Sequence, residues 1–284
     1  MKIGVIGGSG LYSLFDSKDV KKIDTPFGSP SDAYTIGHIQ GQEVVFLPRH
    51  GSTHHCLPTE VNYRANIYGF KKLGVTRILS MGAVGSLKKE LKPRDVVIVD
   101  QFFDRTSKRP QTFFGNGFVA HVSLGDPVCP DLRRHLIALS KKLPGTIHPR
   151  GTYVNMEGPQ FSTRAESNVY RQMGFDVIGM TNMSEARLAR EAEICYATLA
   201  FVTDYDCWHE EEEQVTTDAV LKVLRDNAEK FKQIVASAVE YLGKQETLAC
   251  ACQNALQMSR VTPMDKIPSI TLTALHEILK KYCE

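Results

Sequence analysis

Three short segments of small or cationic residues could bind an anion, and each directly follows a predicted strand. The first is residues 7–10, whose backbone amides and Ser9 hydroxyl could surround a phosphate. In the second, the guanidinium of Arg49, which can bind two oxygens at once, stands next to the imidazole of His50. The third is a glycine-rich turn predicted at residues 81–86. Since strand ends meet at one edge of an α/β sheet, we predict a shared anion site.

The first glycine-rich segment could instead belong to a dinucleotide-binding fold. That fingerprint needs a further glycine three residues after Gly10, where Ser13 stands, and an acidic residue at the end of the second strand. Neither is clear in this sequence. The segment therefore favours a small anion over a nicotinamide cofactor, and we predict no cofactor.

Two acidic residues and an aromatic residue could recognise an organic ligand. Asp204 and Asp206 follow an apolar strand predicted at residues 194–203, and strand alternation predicts that they point the same way. Carboxylates at the end of a buried strand are costly unless they bind something. Phe161 follows a Gly-Pro pair at a predicted helix start, where its ring could stack on a flat base or simply join the core.

The histidines and cysteines do not form a recognisable metal motif. Adjacent His54 and His55, followed by Cys56, point in different directions and lack a carboxylate partner. The seven cysteines are scattered, and the Cys250-Ala-Cys252 pair is too closely spaced for an ordinary zinc knuckle. We therefore predict no metal site, and the close cysteine pair is either incidental or a redox-active pair or disulfide.

Apolar β-branched runs alternate with helical patterns along most of the chain, which predicts an α/β fold. A hairpin at residues 34–48 indicates a mixed sheet. We expect a single domain with a central mixed β-sheet flanked by helices, formed by residues 1–242 and completed by a tail and helix at 243–284. The other predicted strands are 2–6, 77–81, 95–100, 152–155, 176–179 and 194–203; the predicted helices are 59–73, one long helix ending at 242, and 271–282; residues 104–126 form a long loop.

Composition limits the classes of partner. The 284-residue chain has a formal net charge of +2, and its charged residues, 23% of the total, are of both signs. Such a balance gives no reason to expect nucleic acid or anionic lipid as a partner. The first strand begins directly after Met1 without a leader pattern, and no later stretch is long enough to span a membrane, so we expect a cytoplasmic protein.

Taken together, the motifs resemble those of the purine nucleoside phosphorylase superfamily, most closely its methylthioadenosine phosphorylase branch. The similarity extends in order over nearly all of residues 1–242. It is carried by segments 7–11 (GGSGL), 48–51 (PRHG), 62–67 (NYRANI), 85–87 (GSL), 100–102 (DQF), 157–159 (EGP), 164–167 (RAES), 179–181 (GMT) and 203–206 (TDYD). After residue 243 it is weaker.

The resemblance implies phosphate-dependent cleavage of methylthioadenosine, with phosphate as co-substrate, by a homotrimer or homohexamer. The implied phosphate ligands are Ser9, Arg49, His50, Gly82, Ala83 and Thr181. The implied nucleoside-binding residues are Phe161, Met180, Asp204, Tyr205, Asp206, Val220, Leu221 and, from a neighbouring subunit, His121. Asp204 would assist departure of the purine at N7, and His50 with Arg49 would hold the attacking phosphate.

Two further positions bear on specificity. Phosphorylases for inosine and guanosine carry Glu where Ser162 stands and Asn where Asp204 stands, which favours a 6-aminopurine here. Animal members of the branch carry Val where Thr217 stands, so a hydroxyl there could admit adenosine. The alternatives are a broad-specificity purine nucleoside or methylthioinosine phosphorylase and, in another class, a non-catalytic nucleotide-binding protein. Gly82 replaces a Thr of the animal relatives, which removes one possible hydroxyl contact to phosphate.

Overall fold

The computed structural model describes residues 2–8, 11, 14–15, 18–209, 216–245 and 250–283. Within this part of the chain, eleven strands join in one sheet. They are β1 (Lys2–Gly7), β2 (Lys18–Lys21), β3 (Tyr34–Ile39), β4 (Gln42–Pro48), β5 (Val75–Ser86), β6 (Val96–Ile98), β7 (Gln101–Asp104), β8 (Ile147–His148), β9 (Thr152–Asn155), β10 (Val177–Gly179) and β11 (Cys195–Asp204).

Parallel strands form the centre of the sheet. β1 lies between β4 and β5, and β11 pairs with the other edge of β5, all in parallel. Antiparallel pairs surround this centre, including the predicted hairpin of β3 and β4 and the contact of β10 with β5. The sheet is therefore mixed. Because the carboxyl ends of β1, β4, β5 and β11 point the same way, residues just beyond those ends are brought together.

Helices cover both faces of the sheet. They are α1 (Tyr63–Lys72), α2 (Pro130–Ser140), α3 (Arg164–Gln172), α4 (Asn182–Glu191), α5 (Thr217–Asp226), α6 (Ala228–Gly243), α7 (Ser269–Ala274) and α8 (His276–Leu279). Side chains along β1 point alternately to the two faces of the sheet. Ile3 and Val5 pack into the core with α2 and α6, whereas Ile6 packs into the core with α1, α4 and α8. The predicted single α/β domain with a mixed sheet and flanking helices is confirmed. The division at residue 243 stays a prediction.

Three predicted elements differ from the structure. Residues 81–86 are not a turn, because β5 continues to Ser86 by pairing with β10 and β11. The long helix ending at 242 is two helices, separated at Asn227, whose side chain donates to the Val223 carbonyl at 2.9 Å. The final helix is likewise broken into α7, α8 and a short 3-10 turn, and strands as short as β8 gave no periodic signal.

The end of β11 departs from the predicted alternation. A bulge between Val202 and Asp204 shifts the pairing with β5, so that Asp204 lies opposite Gly85. The strand then ends, and Asp206 follows in a turn with φ of 50°. The turn, and not the strand alternation, therefore determines where Asp206 points.

None of the helices formed by the described residues combines the length and the apolar character that crossing a membrane requires.

Candidate active site

A cavity of about 620 Å³ lies at the carboxyl ends of the central strands. Its walls come from the end of β1, the residues after β4, the second half of β5 and the end of β11. This volume is typical of a small-molecule site. The predicted site residues that line it are Arg49, His50, Gly82, Ala83, Phe161, Met180, Thr181, Asp204, Asp206, Thr217 and Val220.

Three predicted residues do not line the cavity. Leu221 of α5 is 41% exposed. Tyr205 turns away, and its hydroxyl donates to the Lys89 carbonyl at 3.3 Å. The Ser162 hydroxyl contacts the Met156 sulfur at 3.7 Å, and its side chain also interacts with Asp206, whose pKa burial raises more than this contact lowers it. Adjacent positions in a helix or turn point in different directions, so a motif that matches residue by residue still places some of its members outside the site.

Two other predicted site residues are Ser9 and His121. Ser9 lies outside the described residues. His121 is exposed in the single chain, where its backbone N–H donates to the Ser259 carbonyl at 2.8 Å. Its expected contact is with a neighbouring subunit's substrate, so that role stays a prediction.

Arg49 supplies positive charge at one end of the cavity. It is buried, and its Nε and Nη2 both donate to the carboxylate of Glu185, the second at 3.3 Å. Nη2 also reaches Ser80 Oγ at 2.7 Å, and Nη1 donates to the Met81 carbonyl at 2.9 Å. Burial alone would lower the pKa of Arg49, but the charge and hydrogen bonds of Glu185 raise it overall, which keeps the guanidinium charged.

His50 is a neutral hydrogen-bond acceptor at the same end. Its Nδ1 lies 2.9 Å from the Cys56 carbonyl, and because a carbonyl only accepts, the proton is on Nδ1. Burial, followed by the charge of Arg49, lowers the pKa of His50 from 6.5 to about 4. Near neutral pH its Nε2 can therefore accept a proton or a hydrogen bond from an acidic ligand such as hydrogen phosphate.

The amino end of α4 closes this end of the cavity. Thr181, the residue before the helix, makes no side-chain capping hydrogen bond. The backbone N–H groups of Thr181 and Met183 already donate, to the Tyr153 hydroxyl at 3.5 Å and to Asn155 Oδ1 at 3.3 Å, so the helix contributes mainly its dipole, whose positive end favours an anion. Gly82 lies beside it, since a Cβ built there would be 3.6 Å from Asn182 Oδ1 and 3.8 Å from Arg49 Nη1. Arg49, the helix end and the small residues of β5 thus surround one anion-sized space.

Asp204 lies at the other end of the cavity and can exchange a proton near neutral pH. Burial raises its pKa from 3.8 to about 6, against hydrogen bonds that lower it. Those bonds come from Thr203 Oγ1 at 2.7 Å and from the backbone N–H of Asp206 at 2.8 Å. Both carboxyl oxygens are thereby held in place, which is the arrangement that a positioned general acid requires.

Asp206 offers a buried acceptor to a ligand. Its Oδ2 has no hydrogen-bond partner among the described residues, although the side chain is buried and lines the cavity. Burial raises the pKa of Asp206 above its ordinary 3.8. An unpaired buried carboxylate oxygen is costly, so a ligand donor such as an exocyclic amine would relieve that cost.

Between its two ends the cavity is mostly apolar. Met180 and Met156 form part of the wall, and Phe161, 42% exposed, lies at the rim. Val220 and Leu224 of α5 line the wall together with Thr217, the first residue of that helix. The site thus has a cationic end, a carboxylate end and apolar walls between them.

The structure adds residues that sequence reasoning did not select. Glu185 is 2% exposed and accepts from Ser80 and Tyr196 as well as from Arg49. It is 136 residues from Arg49 along the chain, so no local pattern linked them. Glu185 lies in the first turn of α4, where acidic residues are common, so its type and position gave no signal. Five consecutive residues, 54–58, and the α6 residues Phe231 and Lys232 also line the cavity.

The residues of the alternative histidine site have other contacts. His54 stacks on His50 with ring centroids 4.6 Å apart. His55 Nδ1 lies 3.1 Å from the Thr53 hydroxyl. Both rings line the cavity, but each has a different partner.

Comparison with known proteins identifies the family. The phosphorylase superfamily model matches residues 2–240. S-methyl-5'-thioadenosine phosphorylase of Geobacter sulfurreducens is 53% identical over 283 residues, covering 99% of this chain and 98% of the relative. The enzyme of the same name from Pyrococcus abyssi is 50% identical over 250 residues, covering 88% of this chain and 96% of the relative.

Solved structures agree with this. A methylthioadenosine phosphorylase from an antarctic soil metagenomic library has a TM-score of 0.92 at 49% identity and covers 98% of each chain. The Schistosoma mansoni methylthioadenosine phosphorylase in complex with adenine has a TM-score of 0.86 at 38% identity, covering 92% of this chain and 99% of the other. The present chain belongs to the phosphorylase superfamily, in its S-methyl-5'-thioadenosine phosphorylase branch.

Proposed function

We propose that the chain catalyses phosphorolysis of S-methyl-5'-thioadenosine to adenine and 5-methylthioribose 1-phosphate. The observation that carries the proposal is a single cavity that contains both an anion-binding end and two carboxyl groups with raised pKa. The names of the relatives and the adenine complex of a solved relative support the same substrate.

Phosphate binds at the cationic end, between Arg49, Thr181 and the small residues of β5. His50 accepts the hydrogen bond of the phosphate hydroxyl at Nε2, and Ser9 contributes a further donor. One phosphate oxygen then attacks C1' of the ribosyl group as the bond to the purine N9 breaks. Fixed position and charge stabilisation lower this barrier, and no covalent enzyme intermediate is required.

The purine binds at the carboxylate end. Neutral Asp204 donates its proton toward N7 of the leaving base, and Asp206 Oδ2 accepts from the exocyclic amine. Phe161 stacks near the base. A 6-oxopurine presents an acceptor where adenine presents a donor, and a buried mismatch of that kind costs on the order of 1 to 3 kcal/mol. Adenine nucleosides are therefore preferred.

The apolar wall accommodates the methylthioribose. Met180 packs under the ribose, and Val220 with Thr217 lies beside the 5' methylthio group. His121 of a neighbouring subunit completes this region in a homotrimer or a homohexamer. The protein acts in the cytoplasm, in methionine and purine salvage, with inorganic phosphate as co-substrate and without a cofactor in the reaction.

The proposal is tested by base release from methylthioadenosine, adenosine and inosine, each with and without inorganic phosphate, followed by chromatography. Adenine released only with phosphate, and fastest from methylthioadenosine, is the expected result. Hypoxanthine release at a comparable rate would favour the broad-specificity alternative. Absence of any phosphate-dependent release, in protein that still binds adenine in calorimetry, would favour the non-catalytic alternative.

A further inference from the structure

Four cysteines from distant parts of the chain meet at one point in the core. Cys129, Cys195, Cys250 and Cys252 are all buried, and their sulfur atoms lie within 4.8 Å of one another. The sulfurs of Cys129 and Cys250 are 3.4 Å apart, and all four residues are free thiols. The sequence predicts no metal site because only Cys250 and Cys252 are close in the chain. The fold brings Cys129 and Cys195 to that pair.

Well-formed elements hold these sulfurs in position. Cys129 is the residue before α2, and its backbone N–H donates to the Tyr196 carbonyl at 2.8 Å. Cys195 is the first residue of β11. Cys250 and Cys252 flank the start of a 3-10 turn that spans residues 251–254. A site with ligands on fixed backbone loses little conformational entropy when an ion binds.

We propose that these four thiols form a structural zinc site. In a tetrahedral zinc–thiolate centre the Zn–S distance of about 2.3 Å places the sulfurs about 3.8 Å from one another. The distances between the four sulfurs, 3.4 Å for Cys129 and Cys250 and no more than 4.8 Å for any pair, lie around that value. Small side-chain rotations would therefore give tetrahedral geometry. Four thiolates select a soft ion over magnesium or calcium, and they leave no open position for water or substrate.

The surroundings compensate the charge of such a centre. Four thiolates and one zinc ion carry a net charge of about −2. The buried Arg77 lines the small cavity that Cys129, Cys195 and Cys250 share, and Asp131, which also lines it, is paired with Arg134. The amino end of α2, which begins next to Cys129, contributes the positive end of its dipole. A disulfide instead joins one pair of sulfurs at about 2.05 Å, whereas a zinc ion uses all four sulfurs of a compact group.

Zinc at this position attaches the C-terminal segment, residues 250–283, to the base of the central sheet. None of the four cysteines lines the large cavity, so the ion acts on stability and not on chemistry. The segment packs against the core through Leu256, Leu275 and Ile278. It also pairs with the loop that contains His121, through a bridge between Ala120 and Arg260.

The test is elemental analysis of the purified full-length protein, prepared under reducing conditions without chelator. We expect about one zinc ion per chain, and after cobalt exchange the visible absorption of a tetrahedral thiolate centre. Cys252→Ser should lose most of the metal and lower the Tm by about 5 °C or more. Cys283→Ser, which changes an exposed cysteine outside the cluster, should retain both.

The wild-type measurement alone can overturn the proposal, even if Cys252→Ser fails to fold. Protein that remains free of zinc after equilibration with zinc sulfate, and that shows all seven thiols by titration in denaturant, contains only a reduced thiol cluster. In protein purified without reductant, a shortfall of about two or four thiols indicates disulfides in place of the metal. Either result rejects the zinc site and leaves the proposed phosphorolysis unaffected.

Discussion

The backbone N–H of Asp206 donates a hydrogen bond to Oδ1 of Asp204 at 2.8 Å, so the two carboxyl-bearing residues after the β11 bulge are linked through the main chain. The turn that makes this bond possible gives Asp206 a φ of 50°. It also leaves Asp206 Oδ2 without a partner in the described part of the chain. One turn thus orients the proposed acid and aims a free acceptor at the ligand.

Asp204→Asn should lower kcat for methylthioadenosine by about 10²- to 10⁴-fold, because an amide cannot transfer the proton. The same change should favour inosine relative to methylthioadenosine, since the amide can donate to a 6-oxo group. Steady-state kinetics with both nucleosides tests this, with Asp265→Asn, an exposed aspartate far along the chain, as the matched control. An unchanged substrate preference would remove Asp204 from its proposed role.

Gly85→Ala should disturb the proposed acid without touching it chemically. A Cβ at residue 85 would lie 2.9 Å from Asp204 Oδ1, 3.2 Å from Ile178 and 3.3 Å from the Asp206 Cβ. We expect kcat/KM to fall by about tenfold, equivalent to about 1.4 kcal/mol. Gly125→Ala is the control, because its added Cβ meets no atom within 4 Å. Equal kinetics for the two variants would show that the carboxyl position tolerates the displacement.

Val220→Ala and Leu221→Ala form a matched pair on neighbouring residues of α5. Val220 lines the cavity, whereas Leu221 does not and is 41% exposed. Loss of apolar contact should raise KM for methylthioadenosine by roughly 3- to 10-fold in the first variant. The second should change KM by less than about twofold. A larger effect at Leu221 would restore the role that the sequence predicts for it.

Glu185→Gln should destabilise the protein by about 3 kcal/mol, since it leaves the buried Arg49 without its anionic partner. It should also raise KM for phosphate, because the guanidinium loses one of the contacts that aim it. Glu240→Gln removes an exposed helical pair with Lys244 and should cost less than about 1 kcal/mol. Urea denaturation compares the two; similar losses would mean that Glu185 contributes no more than a surface charge.

Glu191→Gln should change how stability depends on pH. Burial raises the pKa of Glu191 from 4.5 to about 7, although Phe113 N–H and Thr112 Oγ1 donate to it. The folded protein therefore holds this proton more tightly than the unfolded chain. The contribution to stability is fully present below about pH 4.5 and is lost as pH rises through about 7, by at most about 3 kcal/mol.

The glutamine variant lacks this slope, so relative to wild type it should gain stability between about pH 5 and pH 7.5. Urea midpoints at the two pH values provide the measurement. The exposed Glu229→Gln is the control and should follow wild type at both. A wild type and a Glu191→Gln variant with parallel pH profiles would contradict the assignment.

Local patterns predicted the parts of the site that follow strands. Arg49 and His50 lie after β4 as expected, because their position depends only on where an apolar run ends. The fold class followed from alternating strand and helix patterns. Both features depend on residues that are close together in the chain, so they could be predicted from the sequence.

Long-range features could not be predicted in this way. Glu185 reaches Arg49 only through the packing of α4 on the sheet, and Cys129 meets Cys250 across 121 residues. The helix break at Asn227 and the bulge before Asp204 leave the local apolar periodicity unchanged, so that periodicity could not indicate them. Tyr205 was assigned from the contiguous segment 203–206, and Leu221 from its position next to Val220, whereas neighbouring side chains in a turn or a helix point in different directions.

β11 begins at Cys195 in the cysteine cluster and ends at Asp204 in the cavity. The number of residues between these two positions is therefore constrained at both ends of the strand. A single residue inserted or deleted between these positions would reverse the facing of every side chain on one side of the change. Either the sulfur would leave its three partners or the carboxyl would leave the ligand, so this strand tolerates substitution but no change in length.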